Sequence, residues 1–284
     1  MKYFVRIFIF SIFVLSATTF AVSQEKPSVD FLGVVLKTVG GDSALAKICP
    51  IYKDVVAMRV FKDYGAMFVA SSSVRYPDSC VFTDEDSVSS FQSQLTTKSA
   101  NIGGKNIELQ QAAMDALLEA AAEVKKNGLS ITPRGSSAAG RSYADTARIW
   151  NSRFEPALKY WTGKKKISAA DSEATRKMAT NAQVAQVIEW EKNGWWFSTG
   201  FDRSIFSSVA APGTSQHLSL IALDVSEFAN KDVRDILNKH GWFQTIIDDT
   251  PHFTYIGVDE SELPQRGLIL RLKNGYKFWI PNLK

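Results

Sequence analysis

The chain has 284 residues, 45% of them apolar and 22% charged, which excludes a disordered chain and allows one large domain or two modest ones. Its 33 basic residues nearly balance 29 acidic ones, and no Lys/Arg cluster alternates with aromatics, so no nucleic acid is expected as a partner. Two cysteines are too few for a disulfide scaffold or a Cys-rich zinc module, and any imidazole chemistry must draw on three histidines, His217, His240 and His252.

Residues 1–23 read as a secretory signal peptide. Lys2 and Arg6 flank or enter an apolar run, and the small residues Ala21 and Ser23 precede the polar stretch QEKPS. The alternative is a membrane anchor, but the apolar stretch from Ile7 to Ala17 is 11 residues long, short of the ~20 that a spanning helix needs. Cleavage removes two basic residues and no acid, taking the net charge from +4 to +2. No second apolar run has spanning length. The mature chain is therefore expected to be exported, periplasmic or extracellular, with no stable membrane insertion.

Residues 24–100 read as a small mixed region. In an oxidising compartment Cys49 and Cys80 are expected to bridge, which stabilises by roughly 3–4 kcal/mol in the chain-entropy model. Two buried free thiols are the alternative. Val55–Phe61 and Gly65–Ala70 are apolar, β-leaning runs that predict a hairpin. Asp84–Leu95 predicts a helix, with apolar positions at Val88, Phe91 and Leu95. Thr96–Asn106 is polar and glycine-containing, and marks the boundary to a second region, residues 101–284.

That region opens with the clearest helical pattern of the chain, from about Glu108 to Gly128, followed by a strand-like Leu129–Thr132. Gly140–Trp161 predicts a helix with an aromatic face, Gly163–Lys177 an exposed polar excursion, and Met178–Gly194 another helix. Trp190–Phe201 is aromatic enough to line a cleft or to fill a core. Glu227–Trp242 is helical in spacing, and Gly267–Ile280 predicts a hairpin turning at Asn274-Gly275.

Two histidines have chemically informative neighbours. SQHLSLIALD carries Ser215, His217 and Asp224, and DDTPHFTYIG carries Asp248, Asp249 and His252. Two imidazoles and a carboxylate converging from separate elements suit a zinc ion. Alternation over LSLIALDV predicts a strand with Leu218, Leu220, Ala222 and Asp224 on one face. His217 then belongs to the preceding turn. Pro251 keeps Asp249–His252 out of a helix, so His252 can open the strand FTYIGV, with Asp249 placed as a general base. Satisfied core polar groups are the other reading of the same residues. A Ser215/His217/Asp224 hydrolytic triad lacks a nucleophile elbow.

Together these segments resemble the VanY-like D-alanyl-D-alanine carboxypeptidase family, zinc peptidases of the LAS type. The family's Ser-x-His-x-x-Gly-x-Ala-x-Asp motif is matched at Ser215, His217, Ala222 and Asp224, its Glu-x-x-His at Asp249 and His252, and its Arg-Ser-Tyr segment at Arg141, Ser142 and Tyr143. The likeness covers roughly residues 105–260. It implies an α+β fold, a hedgehog/D-Ala-D-Ala-peptidase-like antiparallel sheet with flanking helices. It further implies zinc held by His217, Asp224 and His252, Asp249 as the base, Arg141 stabilising an oxyanion or holding substrate, and Ser215 supporting the site or touching substrate. The implied activity is hydrolysis of peptidoglycan stem peptides or D-Ala-D-Ala-terminated peptides. Two departures stand out: Asp249 replaces the family's glutamate, with Asp248 beside it, and Leu220 replaces its glycine. They motivate an alternative, a zinc-containing, non-catalytic peptidoglycan-binding pseudoenzyme. His240 matches no ligand position and is expected at a helix end.

Overall fold

A computed structural model describes residues 29–283, so the signal-peptide reading of residues 1–23 lies outside the described residues. The described chain is mixed α/β, with helices packed around small antiparallel sheets. None of its helices is long and apolar enough to cross a membrane.

The N-terminal part is helical: α1 (Phe31–Val39), α2 (Asp42–Ile48) and α3 (Val55–Tyr64). The hairpin predicted over Val55–Ala70 is thus replaced by α3 and a 3-10 turn, Gly65–Val69. Two local features override the β-leaning composition. The Asp54 carboxylate accepts from the Val56 and Ala57 N–H groups, and Val56, Val60, Phe61 and Tyr64 share one buried helical face. Cys49 and Cys80 form the expected disulfide, with Cα atoms 5.2 Å apart.

α4 (Glu85–Gln92) forms as predicted, capped by Asp84. The polar stretch after it folds as a hairpin, β1 (Thr97–Ile102) and β2 (Lys105–Gln110), turning at Gly103-Gly104. Both glycines have positive φ, 54° and 83°, the geometry a tight hairpin turn requires. β2 takes the first residues of the predicted long helix, so α5 spans Gln111–Lys126. One buried apolar cluster runs from Phe31 and Phe61 through Leu117 and Trp150 to Phe253. The disulfide-bearing segment also touches the loop before Ser215. Phe82 N–H donates to Gly213 O at 2.9 Å. A Cβ on Gly213 would lie 1.9 Å from the Phe82 carbonyl oxygen, so only glycine fits there.

α6 (Tyr143–Gly163) starts at Ser142, whose hydroxyl accepts from Asp145 N–H. The stretch expected as a polar excursion contains α7 (Ala169–Arg176), capped by Ser168, and α8 (Thr180–Lys192) follows. Aromatic residues at the end of α8 and just after it pack into the core: buried Trp190 and Phe197 stack at 5.8 Å between centroids, and Phe154 stacks on Phe197.

The sheet that matters for the site contains β3 (Ala222–Asp224) and, after α9 (Lys231–Lys239), β4 (Trp242–Phe243) and β5 (His252–Tyr255). All pairings are antiparallel, in the order β3-β5-β4. The predicted strand over Leu129–Thr132 does not form; a single bridge, Pro133 to Val225, follows it. The predicted alternation over Leu218–Asp224 also fails. Gln216–Ser219 is a 3-10 turn, Leu220 is left-handed (φ 54°, ψ 34°), and only Ala222–Asp224 is strand. The chain closes with β6 (Leu268–Lys273) and β7 (Tyr276–Pro281), joined at Asn274-Gly275 as predicted.

Candidate metal centre

Three elements deliver the donors. Asp224 ends β3 and His252 begins β5, directly opposite each other in the antiparallel register. His217 comes from the 3-10 turn just upstream, as its separation from Asp224 required. Segment 132–139 runs beside β3: Arg134 N–H donates to Asp224 O at 2.7 Å and Asp224 N–H to Ala138 O at 2.8 Å.

The atoms that meet are His217 Nε2, His252 Nδ1 and Asp224 Oδ1. The nitrogens are 3.1 Å apart, His217 Nε2 is 3.3 Å from the carboxylate oxygen, and His252 Nδ1 is 3.2 Å from it. Ligand atoms about 2.0–2.1 Å from a tetrahedral zinc are separated by roughly 3.3 Å.

The hydrogen-bond network fixes which lone pairs are bare. His217 Nδ1 lies 2.7 Å from the Ala139 carbonyl, which can only accept, so the proton sits on Nδ1. Gln216 Nε2 donates to Tyr64 O at 2.8 Å, which turns its Oε1 toward His252. His252 Nε2 is 2.8 Å from that oxygen and must be the N–H donor, leaving Nδ1 bare. Thr254, on the same strand face as His252, also donates to Gln216 Oε1 at 2.5 Å, and Thr245 and Thr254 hydroxyls meet at 2.7 Å. Three acceptors thus converge with no proton between them. A cation satisfies such a set, and both imidazoles are oriented by outer hydrogen bonds as metal-binding histidines are. The donor set therefore fits zinc.

Protonation follows the same logic. Burial, helped by the nearby Arg141 charge, pushes His217 down to about 4, so it is neutral near pH 7. Burial alone would raise the Asp224 carboxyl, but the His217 and His252 rings beside it hold it well below the ordinary range. Arg141 adds a direct ion pair, Nη2 to Asp224 Oδ2 at 2.6 Å, and its Nε donates to Ser137 O at 3.0 Å.

A cavity of about 360 Å³ opens beside the cluster, lined by Arg141, Ser215, Gln216, Asp224, Asp249 and His252 among others. Asp249 O accepts from His252 N–H at 3.2 Å, a turn rather than a helix, as Pro251 dictates. The Asp249 carboxyl is pushed up to about 6, chiefly by burial, with the Asp224 charge also raising it against the opposing pull of His252 and Arg141. Asp248 points elsewhere, to Lys273 Nζ at 2.7 Å. Ser215 caps the 3-10 turn, its hydroxyl accepting from His217 N–H at 3.4 Å. His240 ends α9, 2.9 Å from Glu123, away from the cluster. Leu220 is buried, and its Cδ2 lies 3.0 Å from where a Cβ on Gly140 would stand.

The sequence singled out every donor but missed Gln216. Its position between Ser215 and His217 gave no signal, since one amide carries no spacing pattern. None of the residues at 190–201 lines the cavity.

No family model and no curated protein sequence matches the chain. Among solved structures it is similar to a variant of the vancomycin-resistance D,D-pentapeptidase VanY from a VanB-type cassette, in complex with Zn(II). The TM-score is 0.33 at 13% identity, over 60% of this chain and 84% of that one. It is also similar to the LdcB LD-carboxypeptidase, with a TM-score of 0.31 at 16% identity, over 55% of this chain and 63% of that one, under two thirds of its length. Both likenesses are partial, and the fit of the cluster to a metal ion is read from its donor geometry alone.

Proposed function

We propose that the protein is an exported zinc peptidase that hydrolyses cell-wall peptides, acting as a D-alanyl-D-alanine carboxypeptidase on a hedgehog/D-Ala-D-Ala-peptidase-like fold. The observation that carries this reading is the trio of bare, buried lone pairs from His217, Asp224 and His252, set 3.1–3.3 Å apart beside a cavity that also holds Asp249. The basic, apolar and small-residue pattern of residues 1–23 supports export, and the Cys49–Cys80 bridge fits an oxidising compartment.

Zinc held by these three residues would supply a Lewis acid able to polarise a carbonyl and acidify water. The chain's own residues do the rest. Ala139 O and Gln216 hold the two rings so that their bare nitrogens face inward. Asp249 lines the same cavity, where its carboxylate can accept a proton from water and return it to the leaving amine. Arg141, anchored through Nε and Nη2, lines the cavity, where its charge can stabilise a developing negative oxygen. Ser215 fixes the turn that presents His217.

Product analysis of peptidoglycan and of D-Ala-D-Ala-terminated peptides after incubation with zinc-loaded protein tests the reading. Release of D-alanine that stops with a chelator is expected. Intact substrates with fully loaded protein would overturn it.

A further inference from the structure

β2 is paired with a strand along one edge only. The two-residue turn at Gly103-Gly104 makes Ile102 and Lys105 the closing hydrogen-bonded pair of the hairpin. Hydrogen-bonded and non-hydrogen-bonded pairs then alternate along the register. Asn106, Glu108 and Gln110 therefore turn their backbone N–H and C=O groups away from β1. Gln110 shows the parity directly, because its N–H donates outward, to Leu220 O at 2.9 Å. The corresponding backbone groups of Asn106 and Glu108 have no partner among the described residues. Such an edge is a template on which another extended chain can pair.

The open edge borders a second cavity, of about 330 Å³, lined by Asn106, Ile107 and Glu108 and by Ala139, Gly140 and Arg141 among others. Two of these residues tie it to the metal centre. Arg141 lines both cavities, and Ala139 O is the acceptor that holds His217 Nδ1 at 2.7 Å. The charge of this groove is also one-sided. Its two carboxylates, Glu85 and Glu108, accept from neutral donors: Ala144 N–H at 3.2 Å and the Thr97 hydroxyl at 2.6 Å. The cation in its lining, Arg141, is already paired with Asp224. An arriving positive group is therefore favoured there.

We propose that the free edge of β2 binds the peptide substrate as an added strand, N-terminal to the bond to be cut, with Glu85 and Glu108 favouring a cationic side chain on that strand. The inference rests on the reading of the metal cavity as the site of a peptidase. Main-chain pairing with Asn106 and Glu108 supplies affinity whatever the side chains, and the carboxylates supply the preference. An extended chain advances about 3.3 Å per residue. Each residue added at the N-terminal side of the substrate thus reaches further along the edge, and affinity should depend on peptide length.

Binding is measured by calorimetry on zinc-loaded protein carrying Asp249→Asn, which blocks turnover in that reading. The probes are N-acetylated peptides of increasing length that end in D-Ala-D-Ala, with lysine or neutral norleucine among the added residues. The longest should bind about tenfold or more tighter than the shortest, with lysine ahead of norleucine. Methylating the backbone nitrogens of the added residues should remove most of that gain. Glu108→Pro deletes an N–H that faces the groove and no bond of the hairpin ladder, so it should cut the gain several-fold. Ser99→Pro, directly opposite on β1, deletes an N–H that faces away from the groove and should leave the gain intact. Glu85→Gln combined with Glu108→Gln should abolish the preference for lysine. Zinc affinity serves as the fold control for each variant, and the methylated peptides decide the matter if Glu108→Pro does not fold. Affinity blind to length, a gain that survives methylation, or equal losses in the two proline variants overturns the added strand. A lysine preference untouched by the paired glutamine substitutions overturns the role of the carboxylates. Hydrolysis is assayed separately in the unsubstituted protein. Cleavage with length-blind affinity removes the strand and keeps the peptidase, and absent cleavage with the length dependence intact does the reverse.

Discussion

Asp224 and His252 face each other across the β3–β5 register, so pairing these two strands delivers two of the three donors at 3.2 Å. Arg141 holds the other oxygen of the same carboxylate. An Asp224→Asn substitution keeps the shape but removes the charge. Zinc affinity, read by competition with a chromogenic chelator, should fall by more than about 100-fold, since loss of an outer partner alone typically costs 10–100-fold. Unchanged affinity would remove Asp224 from the donor set.

Gln216 is the outer partner that sets the His252 tautomer, with its own amide anchored on Tyr64 O in α3. Gln216→Met keeps much of the volume and removes the acceptor. His252 is then free to carry its proton on Nδ1, facing Asp224. Zinc affinity should fall by about 10–100-fold while the fold, followed by circular dichroism, is retained. Retained affinity would show that the tautomer is fixed by other means.

The pH dependence has a definite sign. Asp249 in the metal-free protein is raised to about 6, above its unfolded value of about 3.9. The folded state therefore keeps this proton longer than the unfolded state does. Metal-free stability falls as pH rises from about 4 through about 6, and Asp249→Asn should remove that fall. Asp224, held low, acts in the opposite sense: its contribution is present above about 4 and is lost as the pH drops further. Carboxyl NMR titration should place Asp249 near 6 without metal and lower with zinc bound, since a nearby cation favours the carboxylate. An Asp249 that titrates in the ordinary range without metal contradicts this. In the peptidase reading, activity rises with pH as Asp249 loses its proton, and Asp249→Asn abolishes it.

Leu220 is buried and yet left-handed, a conformation that costs a residue with a Cβ about 1–2 kcal/mol. At ordinary positions glycine is less stable than alanine by roughly 0.5–1 kcal/mol. Here the order should invert. Leu220→Ala loses the side chain and keeps the strain, whereas Leu220→Gly loses both. Urea denaturation should find the glycine variant about 1 kcal/mol more stable than the alanine variant. The ordinary order would mean that the backbone at Leu220 is not strained.

The donors were legible because chemistry and order in the chain mark them. His217, Asp224 and His252 each needed only an element that ends in the right place, and Pro251 announced the turn before β5. The Asn274-Gly275 hairpin was legible for the same reason, since turn chemistry is local. Val55–Phe61 was misread because its apolar, β-leaning run hid a helical face that the Asp54 cap makes decisive. The strand through Leu218 was misread because alternation cannot reveal a left-handed residue at Leu220. Gln216 was illegible for a tertiary reason: it acts through a carbonyl in α3 that reaches it only once the chain has folded.

The central claim is that His217, Asp224 and His252 make one zinc centre. Metal analysis of gently purified protein tests it most directly. About one zinc per chain is predicted for the unsubstituted protein, and almost none for His252→Ala purified in the same way. Protein that is fully folded and metal-free, with a melting temperature that added zinc does not raise, would contradict it.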